Sequence, residues 1–191
     1  MPVSLKSCRT PPRHRGVGYI VPQETPWPAF QVSLGRTAFA QQFARGRTVL
    51  EVGCGYGYST NLLAEASARP AIGLDIEAAA VRYAQEHYAG GAAGPTFLRG
   101  DARCLPFRDG SIDMVVCLET IEHLARPQQF LSECRRVLVQ GGLLICSTPN
   151  RGLNSLSIWP RPLDPVHVQE FSLAEFRHLL EQEFDEIALY G

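Results

Sequence analysis

The chain has 191 residues, 45% of them hydrophobic and 19% charged, which suits one globular domain with a sizeable core. A formal net charge of -1 offers no overall attraction to nucleic acid or to an anionic membrane surface. Six cysteines (Cys8, Cys54, Cys104, Cys117, Cys134, Cys146) occur without a C-x-x-C pair, and several sit in apolar runs. They read as reduced thiols. No apolar run reaches the roughly 20 residues of a membrane span, and the start lacks the apolar core of a secretory signal. A cytoplasmic protein is the expectation.

Residues 1–46 form the first unit. Lys6, Arg9, Arg13, His14 and Arg15 cluster in an irregular Pro-containing stretch, a pattern that can touch phosphates but is more often simply solvated. Pro22, Pro26 and Pro28 follow, then a helical stretch over Leu34–Ala44. This unit is expected to lie as a flap over the site of the second, residues 47–191.

From Thr48 onward the chain alternates. Strand-like Thr48–Gly53 precedes a helix over Ser59–Ala68, strand Ala71–Asp75 and a helix over Glu77–Tyr88. Strands at Thr96–Arg99 and Ile112–Leu118, a helix at Pro127–Val139 and a strand at Gly142–Ser147 continue the series. The loop from Pro149 to Glu170 carries four prolines and Trp159, and loops that long are usually functional or disordered. A helix over Ser172–Glu183 and a last strand, Asp185–Tyr190, complete the chain. Alternating βα units predict an α/β, Rossmann-like, doubly wound and mostly parallel sheet of six or seven strands with helices on both faces. Ligands of such sheets lie beyond the carboxyl ends of the strands.

Glu51-Val-Gly53-Cys-Gly55-Tyr-Gly57 places three glycines at alternating positions, which permits positive φ and close approach of a ligand to the backbone. A dinucleotide turn wants G-x-G-x-x-G, yet counting from Gly53 reaches Tyr58 and from Gly55 reaches Thr60. Asp75 ends the second strand about 20 residues on, where a carboxylate can accept both ribose hydroxyls. Asp101 follows the third strand beside Ala102, where an adenine amino group would lie.

Taken together, VLEVGCGYGYST, GLDI, RGDA, DMVVCLETIEHL and RRVLVQGGLLICSTPN resemble class I S-adenosylmethionine (SAM)-dependent methyltransferases, closest to the type 11 group. The resemblance implies SAM as cofactor, with Glu51, Gly53, Gly55 and Gly57 at its methionine part, Asp75 at the ribose, and Asp101 with Ala102 at the adenine. Ile76 and Leu118 complete the implied set. That family's sheet ends in a strand hairpin, and the sequence stops where the hairpin would turn, so the sheet edge is expected to be incomplete.

Glu119-Thr-Ile-Glu122-His123 follows the fourth strand. If it opens a helical turn, offsets of three and four put Glu119, Glu122 and His123 on one face. Two carboxylates and an imidazole suit a divalent cation, and crowding them without one is costly. His167, in Asp-Pro-Val-His167-Val-Gln-Glu170-Phe, is the natural fourth ligand. E-x-x-E-H resembles the metal site of ubiquinone-pathway O-methyltransferases. The added His-x-x-Glu-aromatic element resembles small-RNA 2′-O-methyltransferases. These resemblances imply magnesium or manganese on Glu119, Glu122, His123 and His167. The alternative is a metal-free base, His123 or His167. His14, His87 and His178 receive no role.

The leading expectation is methylation of a small-molecule or glycan-linked hydroxyl, with nucleic acid not expected as a partner because no broad basic surface is present. A non-catalytic SAM-binding subunit, or an RNA 2′-O-methyltransferase, is the alternative. Oligomeric state stays open.

Overall fold

The computed structural model describes residues 19–22, 24–67, 69–90, 94–154 and 167–190. The N-terminal basic cluster, Cys8, Trp159 and the prolines at 160, 162 and 165 lie outside the described residues. Helix α1 (Trp27–Ala44) precedes β1 (Val49–Val52), α2 (Tyr58–Ala66), β2 (Ala71–Asp75), α3 (Ala78–Tyr88), β3 (Thr96–Arg99) and β4 (Ile112–Leu118). A 3-10 turn (Ile121–His123) then leads to α4 (Pro127–Val137), β5 (Leu138–Ser147), the short α5 (Arg151–Asn154) and α6 (Leu173–Glu181).

All pairings are parallel, in the order β3-β2-β1-β4-β5. The chain winds outward from β1 in both directions, so the order reverses between β1 and β4. A crevice at that reversal is where open α/β sheets take their ligands.

Side-chain alternation sorts the core into two layers. Leu50 and Val52 of β1 face a layer with Phe130, Leu131, Cys134 and Val137 of α4 and Phe176, Leu179 and Leu180 of α6. Val49 packs on the opposite face with Ala40 and Ala44 of α1 and Leu63 of α2. A register shift between Ile112 and Met114 resets the parity of β4, so Ile112, Val115 and Cys117 share one layer while Met114 and Val116 share the other. The four α4 residues recur at helical spacing, and each large apolar one contributes about 1.5–3 kcal/mol of burial.

Three expectations change. The sheet has five strands among the described residues, not six or seven. Residues 185–190 form no ladder; Ile187 packs on the core and Tyr190 meets Phe39 with ring centroids 5.0 Å apart, so side-chain contacts hold a segment whose backbone found no strand partner. Helix α1 also starts at Trp27 rather than Leu34. Pro28 fits its first turn, where the missing N–H has no helical partner to lose.

Candidate functional site

The turn after β1 forms the floor of the site. Gly53 (φ 77°), Gly55 (φ 51°) and Gly57 (φ 84°) all sit in the left-handed region. A Cβ on Gly53 would lie 2.3 Å from Thr120 Oγ1, so this glycine also permits close packing of the turn against the end of β4. The N–H groups of Gly53 and Cys54 both donate to Leu74 O, at 2.8 and 3.1 Å, tying the turn to β2.

Glu51 is buried beneath this turn. Its carboxylate accepts from Ser59 Oγ and Thr60 Oγ1 at the start of α2. Burial pushes its carboxyl up to about 7, with the two hydroxyls opposing the rise. Asp75, also buried, accepts from Gly55 N at 2.8 Å through Oδ2 and from Glu77 N at 2.9 Å through Oδ1. It thus fixes the turn relative to β2 while lining the cavity above it. Burial raises its carboxyl despite those bonds. Asp101 is gripped by Arg103, whose Nη2 donates to Oδ2 at 2.7 Å, and this holds the carboxyl below the usual range.

A cavity of about 880 Å³ opens above these groups. Glu51, Gly53, Gly55, Asp75, Ile76, Asp101, Ala102 and Leu118 all line it. Gly57 does not: as N-cap of α2 it faces the core, where a Cβ would lie 2.7 Å from both Ala84 and Phe97. Its role is to let α2 start against α3 and β3.

Ala29, Val32, Ser33 and Arg36 of α1 also line the cavity. Tyr19 lies over Gly55 and packs on Tyr56, with centroids 4.8 Å apart. Burial and the Asp75 charge hold its phenol well above the usual range.

Past β4, the expected four-residue cluster divides. Glu119 has φ 49° and precedes the 3-10 turn. Its side chain therefore leaves the face shared by Glu122 and His123. Oε2 pairs with Arg36 Nη2 at 3.0 Å, and Oε1 accepts from Ser147 Oγ at 2.8 Å. Glu122, His123 and His167 do converge, each offering a ligand atom within 4.8 Å of the others. Glu122 is fully buried; Oε2 accepts from Thr148 Oγ1 at 3.1 Å, while Oε1 has no hydrogen-bond partner among the described residues. Burial, reinforced by Glu119, pushes this carboxyl up to about 7.

His167 reaches the site because the segment before α6 is pinned to the 3-10 turn. Val168 N and Gln169 N both donate to Glu122 O, and Gln169 Nε2 donates to Leu124 O at 2.8 Å. The His123 and His167 rings meet nearly edge to face, with centroids 5.0 Å apart.

Sequence reasoning missed Arg36, Thr148 and Tyr19. Arg36 carried a usable signal, since residues 29, 32, 33 and 36 share one helical face. Tyr19 and Thr148 carried none, because long-range packing places them.

The methyltransferase domain family matches residues 50–146. A Mycolicibacterium smegmatis protein named a probable S-adenosylmethionine-dependent methyltransferase is 42% identical over 139 residues, 71% of this chain and 51% of the relative. A fatty-acid O-methyltransferase of the same organism is 34% identical over 145 residues, 75% of this chain and 52% of the relative. The chain spans about half the length of the curated relatives it matches. Among solved structures, the YcgJ protein of Bacillus subtilis is 26% identical with a TM-score of 0.63, covering 78% of this chain and 68% of that one. No helix among the described residues is long and apolar enough to cross a membrane.

Proposed function

The chain belongs to the methyltransferase domain family, and on that premise we propose that it methylates a hydroxyl oxygen of an apolar small molecule, using SAM. One observation carries the reading. The glycine turn, Asp75 and the Glu122, His123 and His167 cluster open into a single cavity, so a donor and an acceptor can meet there.

The residues present fit SAM: positive-φ glycines leave the turn backbone open, and the Asp75 carboxylate lines the cavity beside them. Glu51, Gly53 and Gly55 would hold its methionine part, Asp75 and Ile76 the ribose, and Asp101 with Ala102 and Leu118 the adenine side. When bound, SAM supplies an activated methyl group for direct displacement. Catalysis then rests on alignment and on removing one proton. Ala29, Val32, Tyr58 and Leu124 give the acceptor side an apolar wall.

A cation also fits. The buried, unpartnered Oε1 of Glu122 beside two imidazoles is a donor set for magnesium or manganese. Glu122, His123 and His167 would hold it, and it would lower the pKa of the acceptor hydroxyl. Glu119 is left out of this set because Arg36 and Ser147 engage it. A second reading draws on the Glu170 carboxylate at His167 Nδ1: without a cation, Nε2 of His167 takes the hydroxyl proton directly.

The test is transfer of a tritiated methyl group from SAM onto a panel of apolar phenols and alcohols, with fatty acids and RNA as separate arms. The expected product is an alkali-stable methyl ether. Label found only in alkali-labile esters would move the acceptor to a carboxylate, as the fatty-acid relative's name suggests for that protein. Label found only in RNA would favour the 2′-O reading. SAM binding with no labelled product from the panel or from cell extract would make this a non-catalytic module.

A further inference from the structure

We infer that Glu170 is a positioning residue, whose carboxylate fixes the His167 ring so that Nε2 faces the proposed cation. This rests on the cation reading above and deepens it. His167 Nδ1 lies 3.0 Å from Glu170 Oε1; the Glu170 side chain is buried at 4% exposure and that of His167 is partly buried at 12%. An ionised carboxylate only accepts, so the 3.0 Å contact places the imidazole hydrogen on Nδ1. That choice of tautomer leaves the lone pair on Nε2, the atom a metal takes.

The backbone around the pair is anchored at both ends. Val168 and Gln169 are bonded to Glu122 O at 3.0 and 3.1 Å. On the other side Arg151 Nη1 donates to Glu170 O at 3.2 Å, and Arg151 N donates to Phe171 O at 2.9 Å. Glu170 therefore approaches His167 from a segment already fastened to the turn that carries Glu122 and His123. The carboxylate adds what the backbone cannot, the rotation and tautomer of the ring.

The experiment measures manganese binding to the purified chain, from loss of the free-ion electron paramagnetic resonance signal. Wild type, Glu170→Ala and Glu170→Gln are compared, with SAM affinity read by calorimetry on each. Removing an outer partner of a ligating histidine typically costs 10–100-fold in metal affinity, and that loss is expected for Glu170→Ala. Glu170→Gln keeps an acceptor oxygen for Nδ1–H and restores most of the affinity. SAM affinity stays within about twofold throughout, while nitrogen modulation of the bound-manganese signal falls from two imidazoles to one in Glu170→Ala. Manganese affinity unchanged in Glu170→Ala would overturn the role of Glu170 and leave the cation reading standing. Parallel loss of SAM affinity would assign Glu170 to folding and overturn it as well. A wild-type chain that binds no manganese would overturn the cation reading and this inference together.

Discussion

Replacing Glu51 by glutamine should flatten the dependence of stability on pH. Burial raises this carboxyl from an ordinary value of 4.5 to about 7, so between those values the folded chain holds a proton that the unfolded chain has released. Stability contributed by the protonated form is complete below pH 4.5 and is lost as pH rises through about 7. Over the whole window the difference corresponds to roughly 3 kcal/mol. Glutamine has no proton to lose, and the hydroxyls of Ser59 and Thr60 can rotate to accept from its amide. Urea unfolding of the cofactor-free chain at pH 5 and pH 8 reads the difference. Glu122 and Asp75, also raised by burial, slope both proteins alike and cancel. The Glu51→Gln variant should gain about 2–3 kcal/mol on wild type between the two conditions, since part of the loss lies below pH 5. Parallel profiles would refute a buried, proton-holding Glu51.

Three further outcomes are expected. Gly57→Ala forces φ 84° on a side chain and drives a Cβ into Ala84 and Phe97, costing about 3 kcal/mol and roughly 10 °C of thermal midpoint; a change under about 2 °C would contradict the packing role. Asp75→Ala removes a buried acceptor and should weaken SAM about 10–100-fold by calorimetry, with unchanged affinity excluding Asp75 from the cofactor site. Arg36→Ala breaks an ion pair whose side chains are 34% and 29% exposed, so urea unfolding should show a loss under about 1 kcal/mol; a larger loss would mean the pair locks α1 in place.

Much of the fold was legible because βα alternation leaves periodic marks. The strands β1 to β4 sit where apolar runs predicted them, while β5 starts at Leu138 rather than Gly142 because α4 ends at Val137 instead of Val139; the strand ends bring Glu51, Asp75, Asp101 and Leu118 to one cavity. What failed depended on partners or on single dihedrals. Asp185–Tyr190 has strand-like composition, yet a strand exists only with a neighbour to bond. The offset argument at Glu119 assumed a regular helix, and one positive φ redirects its side chain to Arg36. Gly57 belongs to the same motif as Gly53 and Gly55 but serves the core, a distinction that spacing cannot make. The H-x-x-E spacing put Glu170 near His167; its bond to Nδ1 needed coordinates.

Calorimetric titration of the purified chain with SAM tests the central claim most directly. One SAM should bind per chain, with the affinity lowered in Asp75→Ala and with no competition from NADH. Absence of SAM binding by a folded chain, or tight NADH binding in its place, would contradict the account.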